Sequence, residues 1–245
     1  MLSSPLCVAQ ISDTHFPHKS GELFRGVDCV AQLTHLLRII RRRQPKVDLL
    51  LVTGDISHQG ESASYRLWLE CLNSINCPIL ALPGNHDSPL VMREVFAGTI
   101  RLDAVSDYEN WRIISLNTVR EGDSGGYLSV SELKVLQQAL ESAGNQSVLI
   151  AMHHHPTPVL VDWLDDMALD NAEDFWAIVD QYPQVRGVVW GHIHHAFSAQ
   201  RRDVVLWGAP ASSVQFVPEF SSQAAFRLIR CYPDGRLKSD IIRLT

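Results

Sequence analysis

No run of about eighteen apolar residues occurs in these 245 residues, which excludes a membrane-spanning helix. There is no Cys-x-x-Cys pair either. Cys7, Cys29, Cys71, Cys77 and Cys231 form an odd, irregularly spaced set, so a disulfide frame and a thiolate metal site are both excluded. Reduced, packed thiols in a cytosolic protein are expected instead. Positive charge is also short: the net charge of −6 offers nucleic acid and anionic lipid no general attraction. The opening Met1-Leu2-Ser3-Ser4-Pro5 runs at once into an apolar stretch and leaves no room for a signal peptide. Internal repeats, low-complexity segments and linkers are absent. With 46% hydrophobic and 20% charged residues, the composition is that of an ordinary globular protein able to bury a full core.

What the chain does have is histidine. Of eleven, eight fall in four short places: His15, His86, His153 to His155, and His192 with His194 and His195.

Strand and helix patterns alternate through most of the chain. Leu6 to Ile11 reads as a central strand ending in Ser12-Asp13-Thr14-His15, and a helical pattern follows over Asp28 to Arg43. Arg41 to Arg43 complement the dipole at that helix's C-terminus. Val47 to Val52 is a second strand, ending in Thr53-Gly54-Asp55, and a helix spans Glu61 to Ile75. Pro78 to Ala81 is a third strand. It empties into Leu82-Pro83-Gly84-Asn85-His86-Asp87, which taken alone is turn chemistry.

A short helix over Ser88 to Phe96 precedes a strand over Trp111 to Leu116. Ser129 and Glu132 form a capping-box pattern for the next helix. Val148 to Met152 runs into His153-His154-His155-Pro156, and Asn171 is expected to cap a helix to about Tyr182. Val185 to Trp190 runs into Gly191-His192-Ile193-His194-His195. From residue 196 onward the text turns to β-hairpins, with β-like runs at Val204 to Trp207, Val214 to Val217, Ala225 to Cys231 and Leu237 to Leu244. One domain over residues 1–245 is expected.

Five strand ends therefore carry Asp, Asn or His: Asp13 with His15, Asp55, Asn85 with His86, His153, and His192 with His194. In an α/β sheet such ends lie along one edge, where ligands bind. Each motif is weak alone; together they argue for one site. Carboxylate, amide oxygen and imidazole without thiolate suit Mn, Fe or Zn. Even seven of these eight groups exceed the needs of one small ion, and they serve two if a carboxylate bridges. Two divalent ions offset by Asp13, Asp55 and a hydroxide keep about one unit of positive charge, a match for a phosphodiester.

In this order, Asp13-x-His15, Gly54-Asp55, Gly84-Asn85-His86-Asp87, His153 and Gly191-His192-x-His194 resemble the calcineurin-like metallophosphoesterases. The resemblance implies a four-layer αββα sandwich of two mixed β-sheets flanked by helices. It further implies that Asp13, His15, Asp55 and His194 hold one metal and that Asp55, Asn85, His153 and His192 hold the other. His86 would stand off the metals on the leaving-group side, stabilising phosphoryl charge and donating a proton. His15, Asp55, Asn85, His86 and His194 would also meet the substrate.

Met152 to Pro156, Trp163-Leu164-Asp165, Asn171-Ala172, and Pro210 with Ser213 to Phe216 look like the bacterial class III cyclic-AMP phosphodiesterases. That likeness implies attack of a metal-bridging hydroxide on cyclic AMP, giving 5′-AMP, with iron or manganese favoured. Ala211 and Ser213 stand where that family usually has Thr and Cys, and the Phe220 to Phe226 segment is shorter. Both departures bear on the choice of nucleotide. Glycerophosphodiesters or nucleotide pyrophosphates are the alternative substrates, and a silent binding module is a third reading. A nuclease would need a basic stripe, which is missing. For His154 and His155, support of the ligands and a plain strand-exit role are both open. Asp87 reads as a turn brace, His18 and His58 as solvated loop residues, and Trp163 and Phe216 as packing.

Overall fold

Alternation along Leu6–Ile11 (β1) sends Val8 into one core and Ala9 and Ile11 into another, so the strand is buried on both faces. The same holds for Leu49–Thr53 (β2), which pairs parallel with β1, and for Ile79–Leu82 (β3), which pairs parallel with β2. The structure, a computed structural model, describes residues 4–217 and 223–244. Met1 to Ser3, and the Phe220 to Ser222 part of the shortened segment, lie outside the described residues.

Two mixed sheets form the centre. The first has the order β11-β10-β1-β2-β3, where Ala225–Cys231 (β10) and Leu237–Arg243 (β11) form a hairpin whose β10 pairs antiparallel with β1. In the second, Trp111–Ser115 (β5), Ser147–Ala151 (β6), Val185–Trp190 (β7) and Val204–Gly208 (β9) run parallel. Val105–Tyr108 (β4) and Phe197–Arg201 (β8) close its edges antiparallel.

Val8, Leu49, Leu51, Leu80, Ile113, Leu149 and Val189 interdigitate between the sheets. The helices Cys29–Arg41 (α1), Ser62–Cys71 (α2) and Pro89–Phe96 (α3) cover the first sheet. The second is covered by Val130–Glu141 (α4), the single turn Asp162–Asp165 (α5) and Ala172–Val179 (α6). The four-layer αββα order expected from the sequence is present.

Several local expectations are corrected. Val214 to Val217 is a loop, not a strand. Asn171 precedes α6 but makes no cap hydrogen bond. Its amide instead pairs with both backbone groups of Leu128, at 2.9 and 3.0 Å, pinning the start of the α4 segment. The capping box is half formed: Ser129 accepts from the Glu132 N–H, while the Glu132 carboxylate accepts from the Asn117 N–H at 3.1 Å. The helix read to residue 75 ends at Cys71, followed by a 3₁₀ turn.

Candidate metal centre

Gln10 marks where the two sheets meet at the strand ends. Its buried amide donates to Thr53 Oγ1 at the end of β2 and to the Trp190 carbonyl at the end of β7, both at 3.1 Å. Just beyond, the chain leaves each strand in an unusual way. Asp13, His15, Asp55, His192 and His194 all have φ between 45° and 67°, in the left-handed region that non-glycine residues avoid. Such conformations cost of order 1 kcal/mol or more apiece and gather at functional sites. They are held by cross-loop bonds: Asp13 N–H to Gly54 O (3.0 Å), His15 N–H to Asp55 O (2.9 Å) and Phe16 N–H to Ile56 O (2.8 Å). Both Asp13 carboxylate oxygens accept from the His192 N–H at 3.1 Å.

The result is a buried cluster. Asp13, His15, Asp55 and His194 each offer a ligand atom, all within 4.8 Å of one another. His15 Nε2 and His194 Nε2 stand 3.1 Å apart, and His194 Nδ1 faces the Val214 carbonyl. A carbonyl only accepts, so that nitrogen carries the proton and His194 Nε2 is left as a lone pair aimed at the cluster. His153 is set the same way: Nδ1 donates to Thr53 O at 2.7 Å, and Nε2 lies 3.5 Å from Asp55 Oδ1.

Asn85 Oδ1 sits between His153 Nε2 (3.0 Å) and His192 Nδ1 (3.1 Å). Among the described residues, His192 Nε2 and His15 Nδ1 are buried without hydrogen-bond partners. Burial opposes charge on His153, yet Asp55 raises its imidazole to about 9. Burial likewise works against the Asp55 carboxylate, and His153 holds it well below the usual range. Lone pairs and carboxylates converging in a water-poor pocket fit a divalent pair, with Asp55 reaching both halves.

The three consecutive histidines have separate fates. His154 lies within ligand distance of His153 and His192. Both its nitrogens are already engaged, however: Nδ1 with Thr118 Oγ1 (2.7 Å) and Nε2 with Ser124 O (3.2 Å). It braces the 118–126 loop, and Asn85 fits the fourth ligand position better. His155 stands 3.3 Å from Asp165 at the end of α5.

His86 donates its backbone N–H to Asp55 Oδ1 at 2.9 Å and its Nδ1–H to the His58 carbonyl at 2.9 Å. Its ring meets His15 edge-on at 4.9 Å and lines a cavity of about 560 Å³ beside the cluster. Asp87 does not face His86's ring nitrogens. Its carboxylate accepts from Ile56 N, Ser57 N, Gly84 N and the Tyr65 hydroxyl at 2.9–3.1 Å, tying the loops after β2 and β3 together. His58 joins the cavity wall, stacked on His86 at 5.1 Å, whereas His18 pairs with Glu22 at the rim. Sequence reasoning missed Phe24 and Arg25, which also line the cavity; no motif marks them.

Two mixed sheets whose strand ends gather carboxylate, amide and imidazole groups at one buried point define a dinuclear phosphoesterase scaffold. The chain belongs to the calcineurin-like phosphoesterase family, whose model matches residues 7–196. It is similar to the 3′,5′-cyclic adenosine monophosphate phosphodiesterase CpdA of Pseudomonas aeruginosa, at 34% identity over 97% of this chain and 89% of that one. A 3′,5′-cyclic-nucleotide phosphodiesterase of Nostoc sp., alr5338, is 33% identical over 98% of this chain and 93% of its own length. Among solved structures, a dimetal phosphatase from Danio rerio has the same fold, with a TM-score of 0.70 at 16% identity over 99% of this chain and all of that one.

Proposed function

We propose that this chain is a dinuclear-metal phosphodiesterase that hydrolyses 3′,5′-cyclic AMP to 5′-AMP. The observation that carries the reading is the buried convergence of Asp13, His15, Asp55, Asn85, His153, His192 and His194 beside a cavity of about 560 Å³. Asp13, His15, Asp55 and His194 hold one ion, and Asp55, Asn85, His153 and His192 the other, with Asp55 common to both. The donor set, without thiolate, suits iron or manganese, with zinc the next choice. When bound, the pair supplies an activated water and electrophilic charge at phosphorus.

The chain's own residues do the rest. Asn85 is a neutral ligand, so the second position loses no positive charge to its own ligand, and a monoanionic diester is favoured. His15, Asp55, Asn85, His86 and His194 frame the phosphoryl group. With Nδ1–H spent on the His58 carbonyl, His86 presents Nε2 to the cavity; carrying a second proton there, the ring steadies charge, passes that proton to the departing 3′ oxygen and is left neutral.

Residues 1–245 act as one domain in this reading. Ser213 and Val214, beyond the matched segment, bond to the Asp13 backbone and to His194. No described helix is long and apolar enough to cross a membrane, and the five unpaired thiols suit the cytosol. The substrate is a small molecule; cavity-lining Glu22 and Glu61 disfavour nucleic acid.

The test is to load the protein with Mn or Fe, measure metal per chain, and follow cyclic AMP chromatographically. About two ions per chain and accumulation of 5′-AMP are expected. Full metal loading with no 5′-AMP would overturn the substrate; no metal uptake would overturn the site.

A further inference from the structure

Beside the candidate centre, the loop after β1 ends in a feature that the metal site does not use. Phe24 and Val27 exchange both backbone hydrogen bonds at 2.9 Å, closing a two-residue hairpin. The two tip residues, Arg25 (φ 49°) and Gly26 (φ 82°), are both left-handed, as a type I′ turn requires. Asn, Asp or Gly normally takes the first of these positions. An arginine there is strained, and strain of this kind concentrates at binding sites.

The hairpin places its side chains over the cavity mouth. Phe24 stacks on His15 (4.5 Å, 16°) and Phe216 stacks on His194 (3.5 Å, 11°). The Arg25 guanidinium lies 4.8 Å from the Phe216 ring centre and 5.9 Å from that of Phe24. Arg25 is exposed, and among the described residues it has no carboxylate partner. The nearby acids are engaged elsewhere: Glu22 and Glu61 pair with His18 at 3.2 and 3.6 Å. Among the described residues, Arg25 is also the one Lys or Arg that lines the cavity.

An arginine at the outer lip, backed by an aromatic ring, is suited to the end of a substrate remote from phosphorus. Guanidinium planes stack on nucleobases, and their edges donate to ring nitrogens. We propose that Arg25, backed by Phe216, is the platform on which the nucleobase rests, and so a specificity-determining residue. The inference deepens the nucleotide reading above and rests on it.

The experiment is titration calorimetry of the metal-loaded protein with AMP and with ribose 5-phosphate, which lacks only the base. The wild type should bind AMP about tenfold more tightly, the scale of one base-stacking contact. Arg25→Ala should bring the two ligands to within about twofold, and Arg25→Lys, charged but not planar, should resemble Ala. A wild-type preference for AMP that survives in Arg25→Ala would overturn the proposal. So would equal weakening of both ligands that Lys restores, since that marks a contact to phosphate charge. So would a wild type that does not prefer AMP. Cyclic AMP turnover by the same wild-type sample is read separately. Turnover with no base dependence at position 25 removes the platform and keeps the activity.

Discussion

Asn85 and His86 are adjacent in the chain yet face different partners. Asn85 Oδ1 sits between two imidazoles, while His86 binds Asp55 through its backbone and His58 through its ring. Asn85→Ala should lower metal content, whereas His86→Ala should keep both ions and lose turnover by about 10²–10³-fold. Metal analysis alongside kcat checks the split, and full activity in either variant contradicts the assignment. His153 to His155 show why this detail is hard to read from sequence: identical side chains in a row differ only in which carbonyl, hydroxyl or carboxylate lies opposite.

His155 also gives a pH prediction. Burial drives its imidazole down to about 4 from an ordinary 6.5, against the pull of Asp165. Between about pH 6.5 and about 4 the unfolded chain binds the extra proton, so stability falls as the pH falls. Unfolding free energies from denaturant titrations at pH 7.5 and 5 should differ by about 1–2 kcal/mol more in the wild type than in His155→Gln. An equal difference in both would remove His155 as the cause.

Among elements, the strands gave the clearest signals, because parallel strands buried on both faces are continuous apolar runs bounded by turns. β4 and β8 gave none: Val105-Ser106-Asp107-Tyr108 and Phe197-Ser198-Ala199-Gln200-Arg201 are short, partly exposed edges with polar residues. The five strand ends that carry Asp, Asn or His were legible because those residue types gather there in the sequence. Their left-handed backbones were not, since Asp and His do not announce φ above zero. The loops depend on one another instead. Gly54 (φ +92°) has room for no side chain, as a Cβ would fall 2.5 Å from His153 Nδ1.

Asp87 is the other tie. Asp87→Ala leaves three backbone N–H groups and the Tyr65 hydroxyl without their acceptor, at a cost of about 3 kcal/mol or more. A matching fall in thermal midpoint with weaker metal uptake is expected from calorimetry. An unchanged midpoint would show that the loops do not need this brace.

Over the whole molecule, the two sheets each contribute part of the centre: β1, β2 and β3 bring Asp13, His15, Asp55 and Asn85, while β6 and β7 bring His153, His192 and His194. The fold was legible as a class because alternating strands and helices leave few topologies. The cavity's outer wall was not, since Phe24, Arg25 and Phe216 lie on loops whose placement depends on contacts far apart in sequence.

The central claim is that this centre serves a cyclic nucleotide. It is tested most directly by kcat/KM on Mn- or Fe-loaded protein for cyclic AMP, a glycerophosphodiester and a nucleotide pyrophosphate, measured side by side. The account predicts that cyclic AMP ranks first by at least about tenfold, with 5′-AMP as product, a margin of about 1.4 kcal/mol in transition-state binding. A higher kcat/KM for either of the other two, with cyclic AMP left intact, would contradict it.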